Sequence, residues 1–192
     1  MGKQDTIEKI LKCAMSLFSQ KGYTLTTTKE IAKEAGVSEM TVFRHFESKK
    51  NLFEKVFNEY VFLPNIKFIF ENNLEWDLEK DLLKISHIYQ DILSKNKKII
   101  LMELKNKELT SELSSPLFKF PIEFKKLLIE YFYKMKEKDN IKYDPEIIAI
   151  NFLSSNFGIF ISFLMVDNLT DDIDMEVSIS SFVSVFTKGI TS

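Results

Sequence analysis

With 192 residues, 45% of them hydrophobic, the chain can bury the core of one large domain or two modest ones, which excludes global disorder. A net charge of −2 and a pI of about 5.8 exclude a uniformly basic nucleic-acid coat. A single cysteine, Cys13, excludes an intrachain disulfide framework and suits a reducing cytoplasm.

Glycine and proline are sparse and no Asn-Gly or Asp-Gly hairpin signal occurs, while helical spacing recurs throughout. The chain is therefore read as all-α with about nine helices. Helix one starts at Asp5, with Glu8 three residues on, and ends at Gly22. Its apolar face is Ile7, Ile10, Leu11, Ala14, Leu17 and Phe18. Thr27 caps helix two, with Glu30 as its capping-box partner, and Gly36 closes it. Ser38 caps helix three, whose buried side is Val42 and Phe46; Ser48 caps helix four, which starts at Lys49. Pro64 ends or bends helix four, and Asn72-Asn73 predicts a loop. Helix five spans Asp77 to Ser94 and a shorter helix spans Lys97 to Lys105. Thr110 to Pro121 reads as a loop or broken helix, followed by helix seven from Pro121 to Lys138. Asp144-Pro145 starts helix eight, which runs to Val166, and the last helix ends near Gly189.

Charge divides unevenly along these elements. Residues 1–60 hold 10 Lys or Arg against 8 Asp or Glu, and the remainder holds 16 against 20. That balance permits a nucleic-acid partner for the N-terminal part. Helices two and three fit a helix-turn-helix: Ala32 is small where the helices press together, Gly36 permits the turn, and Val37 supplies a buried residue after it. The chain's only arginine, Arg44, lies on the second of these helices beside Glu39, Met40, Thr41 and His45. Arginine is the side chain best built to grip guanine edges and phosphates.

Gly22-Tyr23, Thr26-Thr27, Ile31-Ala32, Ala35-Gly36-Val37-Ser38, Thr41-Val42-Phe43 and Phe46 through Ser48, Lys49 and Leu52 together resemble the TetR family of repressors. The resemblance covers roughly residues 5–60. It implies a helix-turn-helix DNA-binding domain over 1–50 and a helical ligand-binding and dimerisation domain over 51–192. It further implies a homodimer on a palindromic operator, with helix three of each subunit in the major groove. Carried over by position, Glu39, Met40, Thr41, Phe43 and Arg44 face bases or flanking phosphates. Thr27, His45 and Lys49 take backbone positions. Phe43 stands where relatives often carry tyrosine, and Met40 where glycine is frequent. In such a regulator an apolar ligand lowers operator affinity.

Thirteen of the 18 phenylalanines lie beyond residue 60, and most of them are read as core. Some should line a ligand cavity, and the candidates are His87, Tyr89, Met102, Phe120, Phe124, Tyr131, Asn156 and Phe160. Few are cationic, which favours a neutral, greasy or aromatic ligand. Ser154, Gly158 and Ser162 form a small-residue strip on helix eight, and Ile179, Phe182, Val183 and Phe186 recur at helical spacing on the last helix. These predict a dimer interface in a four-helix bundle.

Rival classes have less to stand on. Two distant histidines, one cysteine and no Gly-rich phosphate loop give no catalytic constellation, so no enzyme, metal or cofactor is expected. Ile147 to Val166 carries no charge over 20 positions, long enough for a membrane span. Its Asn151, Ser154, Ser155, Asn156, Gly158 and Ser162 instead favour a buried helix, and no membrane partner is expected. The alternative reading is a membrane-associated or architectural DNA-binding protein without an inducer.

Overall fold

The computed structural model describes residues 3–62, 64–104, 116–139, 141–165 and 172–191. Among these, every regular element is an α-helix. In order they are α1 (Lys3–Lys21), α2 (Thr28–Ala35), α3 (Glu39–Phe46), α4 (Lys49–Tyr60), α5 (Ile66–Asn72), α6 (Leu78–Lys95), α7 (Lys97–Leu104), α8 (Pro116–Lys138), α9 (Pro145–Met165) and α10 (Met175–Ile190). The expectation of an all-α chain of about nine helices holds, with ten among the described residues. The additional one, α5, has only seven residues, and its N-cap Asn65 accepts a hydrogen bond from the Phe68 amide. The segment expected as a loop up to Pro121 is helical from Pro116, so Pro121 lies inside α8; residues 110–115 of that expected loop lie outside the described residues.

The chain forms two compact units, Met1–Phe62 with Asn96–Lys119, and Leu63–Lys95 with Phe120–Ser192. Packing thus groups α1–α4 with α7. The reason is that α4 puts Leu52, Phe53, Val56 and Phe57 into the same core as Ile10, Phe18, Ile31 and Val42, and α7 adds Ile99. Phe53 is the centre of that core: its ring meets Phe18 edge-on at 5.1 Å, Tyr23 at 4.9 Å and Phe57 at 4.9 Å. Asn96, buried, closes the unit. Its amide nitrogen donates to the Phe62 carbonyl and its amide oxygen accepts from the Phe62 N–H, both at 2.8 Å.

In the second unit α6 packs on α9 and α10, and α9 on α10. Tyr89, Phe120 and Phe124 form one aromatic cluster with Phe70. Buried polar groups are joined across helices. Tyr131 donates to Asp81 at 3.0 Å, while the other Asp81 oxygen accepts from the Glu75 amide at 2.8 Å. Gln90 donates to the Asn156 carbonyl at 2.8 Å. Satisfying such groups matters because an unpaired buried one costs about 1–3 kcal/mol.

Residues Pro145–Leu164 of α9 are long and apolar enough to cross a membrane by length and composition, and 33% of that stretch is buried within the chain. The buried side expected of this helix is present, and the rest of its surface is left to solvent within the single chain. Ile147, Ile150, Ser154 and Gly158 make an exposed stripe along it.

Candidate nucleic-acid interface

Helix α3 is short, and its eight residues are held by caps at both ends. Ser38, in extended conformation, accepts from the Thr41 amide at 3.1 Å, and its hydroxyl shares a 2.8 Å hydrogen bond with the Thr41 hydroxyl. At the other end Glu47 takes φ 62°, ψ −37°, and the Ser48 amide donates to the Phe46 carbonyl at 2.6 Å. A non-glycine residue there is strained, and the tight turn it makes delivers Ser48 as the cap of α4.

The turn before α3 is set by Gly36, at φ 63°, ψ 37°. Its neighbour Val37 donates to the Ala32 carbonyl at 2.9 Å, the closing bond of a Schellman end. A Cβ at Gly36 would approach Lys9 Nζ at an ordinary 3.5 Å, so glycine is needed for its backbone conformation rather than for space. Upstream, Thr27 and Glu30 form the expected capping box, each side chain bonding the other's amide. Glu30 also pairs with Lys21 at 3.0 Å. The Thr27 amide first, then the Lys21 and Thr27 side chains, hold the Glu30 carboxyl down at about 2.

With Val42 and Phe46 buried, the opposite face of α3 is turned outward. Met40 is 77% exposed and Phe43 44% exposed, and Arg44 is exposed. Arg44 has no ion-pair partner among the described residues. Thr41 is half-buried and engaged in the Ser38 cap, and His45 is half-buried beside the Phe46 ring. Thr27 is exposed as the cap of α2. Lys49 lies over the Tyr23 ring, 4.2 Å from its centroid, with Nζ 3.5 Å from the Thr24 carbonyl; burial lowers its pKa. The role of Thr28 leaves no local mark in the sequence. Its hydroxyl donates to Glu39 Oε1 at 2.7 Å, joining the first residues of α2 and α3.

The ligand candidates do not gather in one place. Tyr89, Phe120 and Phe124 do meet, and burial pushes the Tyr89 hydroxyl up to about 12. Tyr131 belongs to a separate pairing: it stacks on Trp76 at 5.9 Å and bonds Asp81, and burial followed by that carboxylate drives its pKa upward. Asn156 is bonded to Gln90, while Phe160 lies 6.4 Å from the Phe157 ring. His87 sits at the surface rather than on an interior wall, 3.2 Å from Glu176. The Met102 side chain lies outside the described residues. A groove of about 670 Å³ opens elsewhere in this unit, between Trp76, Asp77, Lys80, Lys138, Asp139 and Thr187, and includes none of the candidates.

On α10, Ile179 and Val183 are buried within the subunit, and Phe182 and Phe186 pack on Phe152. Ile179 and Val183 are thus used by the chain's own core, while Phe182 and Phe186 are half-buried. Val177 and Val185, at 58% and 72% exposure, mark the outward face. On α9, Ser154 and Gly158 are exposed as expected, and Ser162 is half-buried.

Two capped short helices, a left-handed glycine turn and an outward arginine without an ion pair among the described residues define a helix-turn-helix. Residues 10–56 match the profile of bacterial regulatory proteins of the tetR family. Across 97% of its length the chain is 34% identical to the uncharacterised HTH-type transcriptional regulator YvkB of Bacillus subtilis, covering 98% of that protein. The chain belongs to the tetR family, whose members regulate transcription and are not enzymes. Its fold is similar to the crystal structure of NalD, the secondary repressor of the MexAB-OprM multidrug efflux pump in Pseudomonas aeruginosa. The TM-score is 0.75 at 23% identity, over 98% of this chain and 96% of that one. A candidate transcriptional regulator from Saccharomonospora viridis, in complex with choline, matches with a TM-score of 0.71 at 17% identity, over 98% and 99% of the two chains.

Proposed function

We propose that the chain is a cytoplasmic transcriptional repressor that binds a palindromic operator as a homodimer and is released by a small apolar ligand. The observation that carries the DNA reading is the outward face of α3, where Met40, Phe43 and Arg44 stand free on a helix fixed at both ends. Glu39 and Arg44 face base edges, Met40 and Phe43 offer apolar contact to thymine methyls, and Thr41 serves chiefly as part of the cap. Thr27, His45 and Lys49 meet the phosphate backbone, Lys49 by leaving the Tyr23 ring. Repression is supported by NalD, a repressor of like fold.

The outward stripes of α9 and α10 supply the second subunit's contact: exposed Ser154 and Gly158 and half-buried Ser162 with Ile147 and Ile150, and Val177 with Val185. Ile179 and Val183 support that face from behind. The aromatic cluster of Tyr89, Phe120 and Phe124 is the ligand's apolar wall, with Asn156 and Gln90 as polar anchors. The choline complex of a similar fold supports ligand sensing in such a body. A coupling of about 1–3 kcal/mol between ligand and operator suffices to change occupancy.

Light scattering with chromatography tests the dimer. Wild type is expected at twice the chain mass. Gly158→Arg is expected as a folded monomer, because a Cβ at Gly158 meets no atom within 4 Å inside the subunit. Selection from a random DNA pool should return a palindrome, and thermal-shift screening with fatty acids, bile-acid-like molecules and dyes should return a stabilising ligand. A monomeric wild type that co-floats with lipid vesicles would instead favour membrane association through the exposed face of α9.

A further inference from the structure

We propose that Glu39, anchored by Thr28, selects a cytosine in each operator half-site. The proposal rests on the operator reading above and adds the base chemistry that this face recognises. Glu39 is the only acidic residue of α3. A carboxylate turned toward DNA is repelled by phosphates, so on a reading face it needs a base donor to justify its place. Its position in the first turn favours the helix dipole, yet that role needs no partner. Here the Thr28 hydroxyl reaches across from α2 and donates to Glu39 Oε1 at 2.7 Å, in a half-buried setting.

That bond has two consequences. It uses one carboxylate oxygen and fixes the side chain's direction. It also leaves Oε2 without a hydrogen bond among the described residues. An ionised carboxylate only accepts. In the major groove guanine and thymine offer acceptors at the positions in question, and adenine places its N7 acceptor beside its N6 donor. Cytosine alone presents a donor, its N4 amine, with no neighbouring acceptor on the same base. Met40, standing next to Glu39 and 77% exposed, adds apolar surface that limits water access to such a contact. Thr28 is thus a positioning residue, acting on DNA only through Glu39.

The test uses the full chain. DNA is selected from a random pool, and affinities are then measured for the selected site and its single-base-pair replacements. Wild type is expected to enrich cytosine at one position of each half-site and to lose about tenfold in affinity when that pair is replaced. Glu39→Ala should erase discrimination at that position and keep it elsewhere. Glu39→Gln, which gains a donor, should move the preference to adenine. Thr28→Val should narrow the discrimination and Thr28→Ser restore it, with circular dichroism unchanged. If Thr28→Val loses its helical signal, Thr28→Ala takes its place as the variant without the hydroxyl, and Glu39→Ala still decides the base contact.

A wild-type site without that cytosine, or a Glu39→Ala variant that discriminates as wild type does, overturns the proposal. A folded Thr28→Val equal to wild type overturns the anchoring role. Failure to enrich any sequence overturns the operator reading and this proposal with it.

Discussion

The two units are held together by different means. In the first, short helices are tied at their ends: Thr27, Ser38 and Ser48 cap α2, α3 and α4, and Gly36 and Glu47 turn the chain between them. In the second, α6 and α9 run for 18 and 21 residues beside the part of α8 from Phe120 on, and their middles are joined by Tyr131 with Asp81, Gln90 with Asn156, and stacked rings. End-tied helices present a surface whose geometry is fixed residue by residue. Mid-joined helices bury one side and leave the other side apolar, as α9 does. A DNA-reading surface wants the first arrangement, and a surface for another protein chain or a ligand tolerates the second.

The largest expected effects lie in the two aromatic cores. Phe53→Ala should cost the first unit about 3–5 kcal/mol, and Phe124→Ala the second a similar amount. Hydrogen exchange resolved by residue checks both; unchanged protection of α1 amides in Phe53→Ala would break the idea of one core through α1–α4. Next, Arg44→Ala should cost about 1–3 kcal/mol of operator binding and relax one base pair per half-site. Lys49→Ala should weaken every sequence alike and reduce the salt slope by about 1. Fluorescence anisotropy over a salt series separates them, and equal behaviour of the two variants would blur the line between base and backbone contacts.

Smaller again is the cap. Thr27→Ala should lower stability by about 1 kcal/mol in denaturant unfolding; no loss would mean that α2 does not depend on its end. The smallest effect is acid sensitivity of that same box. The Glu30 carboxyl is held at about 2 against an ordinary 4.5, so its contribution is full above about pH 4.5 and is lost as pH falls toward about 2. The stability gap between wild type and Glu30→Gln should narrow over that window. A constant gap would assign Glu30 no role as a charged acceptor.

Local chemistry explains what could be read in the sequence. Thr27 with Glu30, Gly36, Ser38 and Ser48 act within a few residues of themselves, so their roles were visible without the fold. The Thr28–Glu39 bond spans 11 positions and the Gln90–Asn156 bond 66, and neither leaves a local mark. α5 escaped because a seven-residue apolar run carries less than two turns of periodicity. Pro121 misled because proline signals a helix start, yet α8 already begins at Pro116. On α10 the sequence showed one apolar set, Ile179, Phe182, Val183 and Phe186, and gave no weight to Val177 and Val185 on the outward face. Only packing reveals which side the chain keeps for itself.

Asn96 holds both backbone groups of Phe62, and α7 then lays Ile99 into the core behind α1. Anyone cutting this protein into parts should note where the scissors fall. A fragment ending at residue 62 would lack Ile99 and leave the Phe62 amide and carbonyl to water. A chimera that transplants the reading head onto a foreign body needs to carry residues 96–104 as well, joined by a graft at two points rather than one.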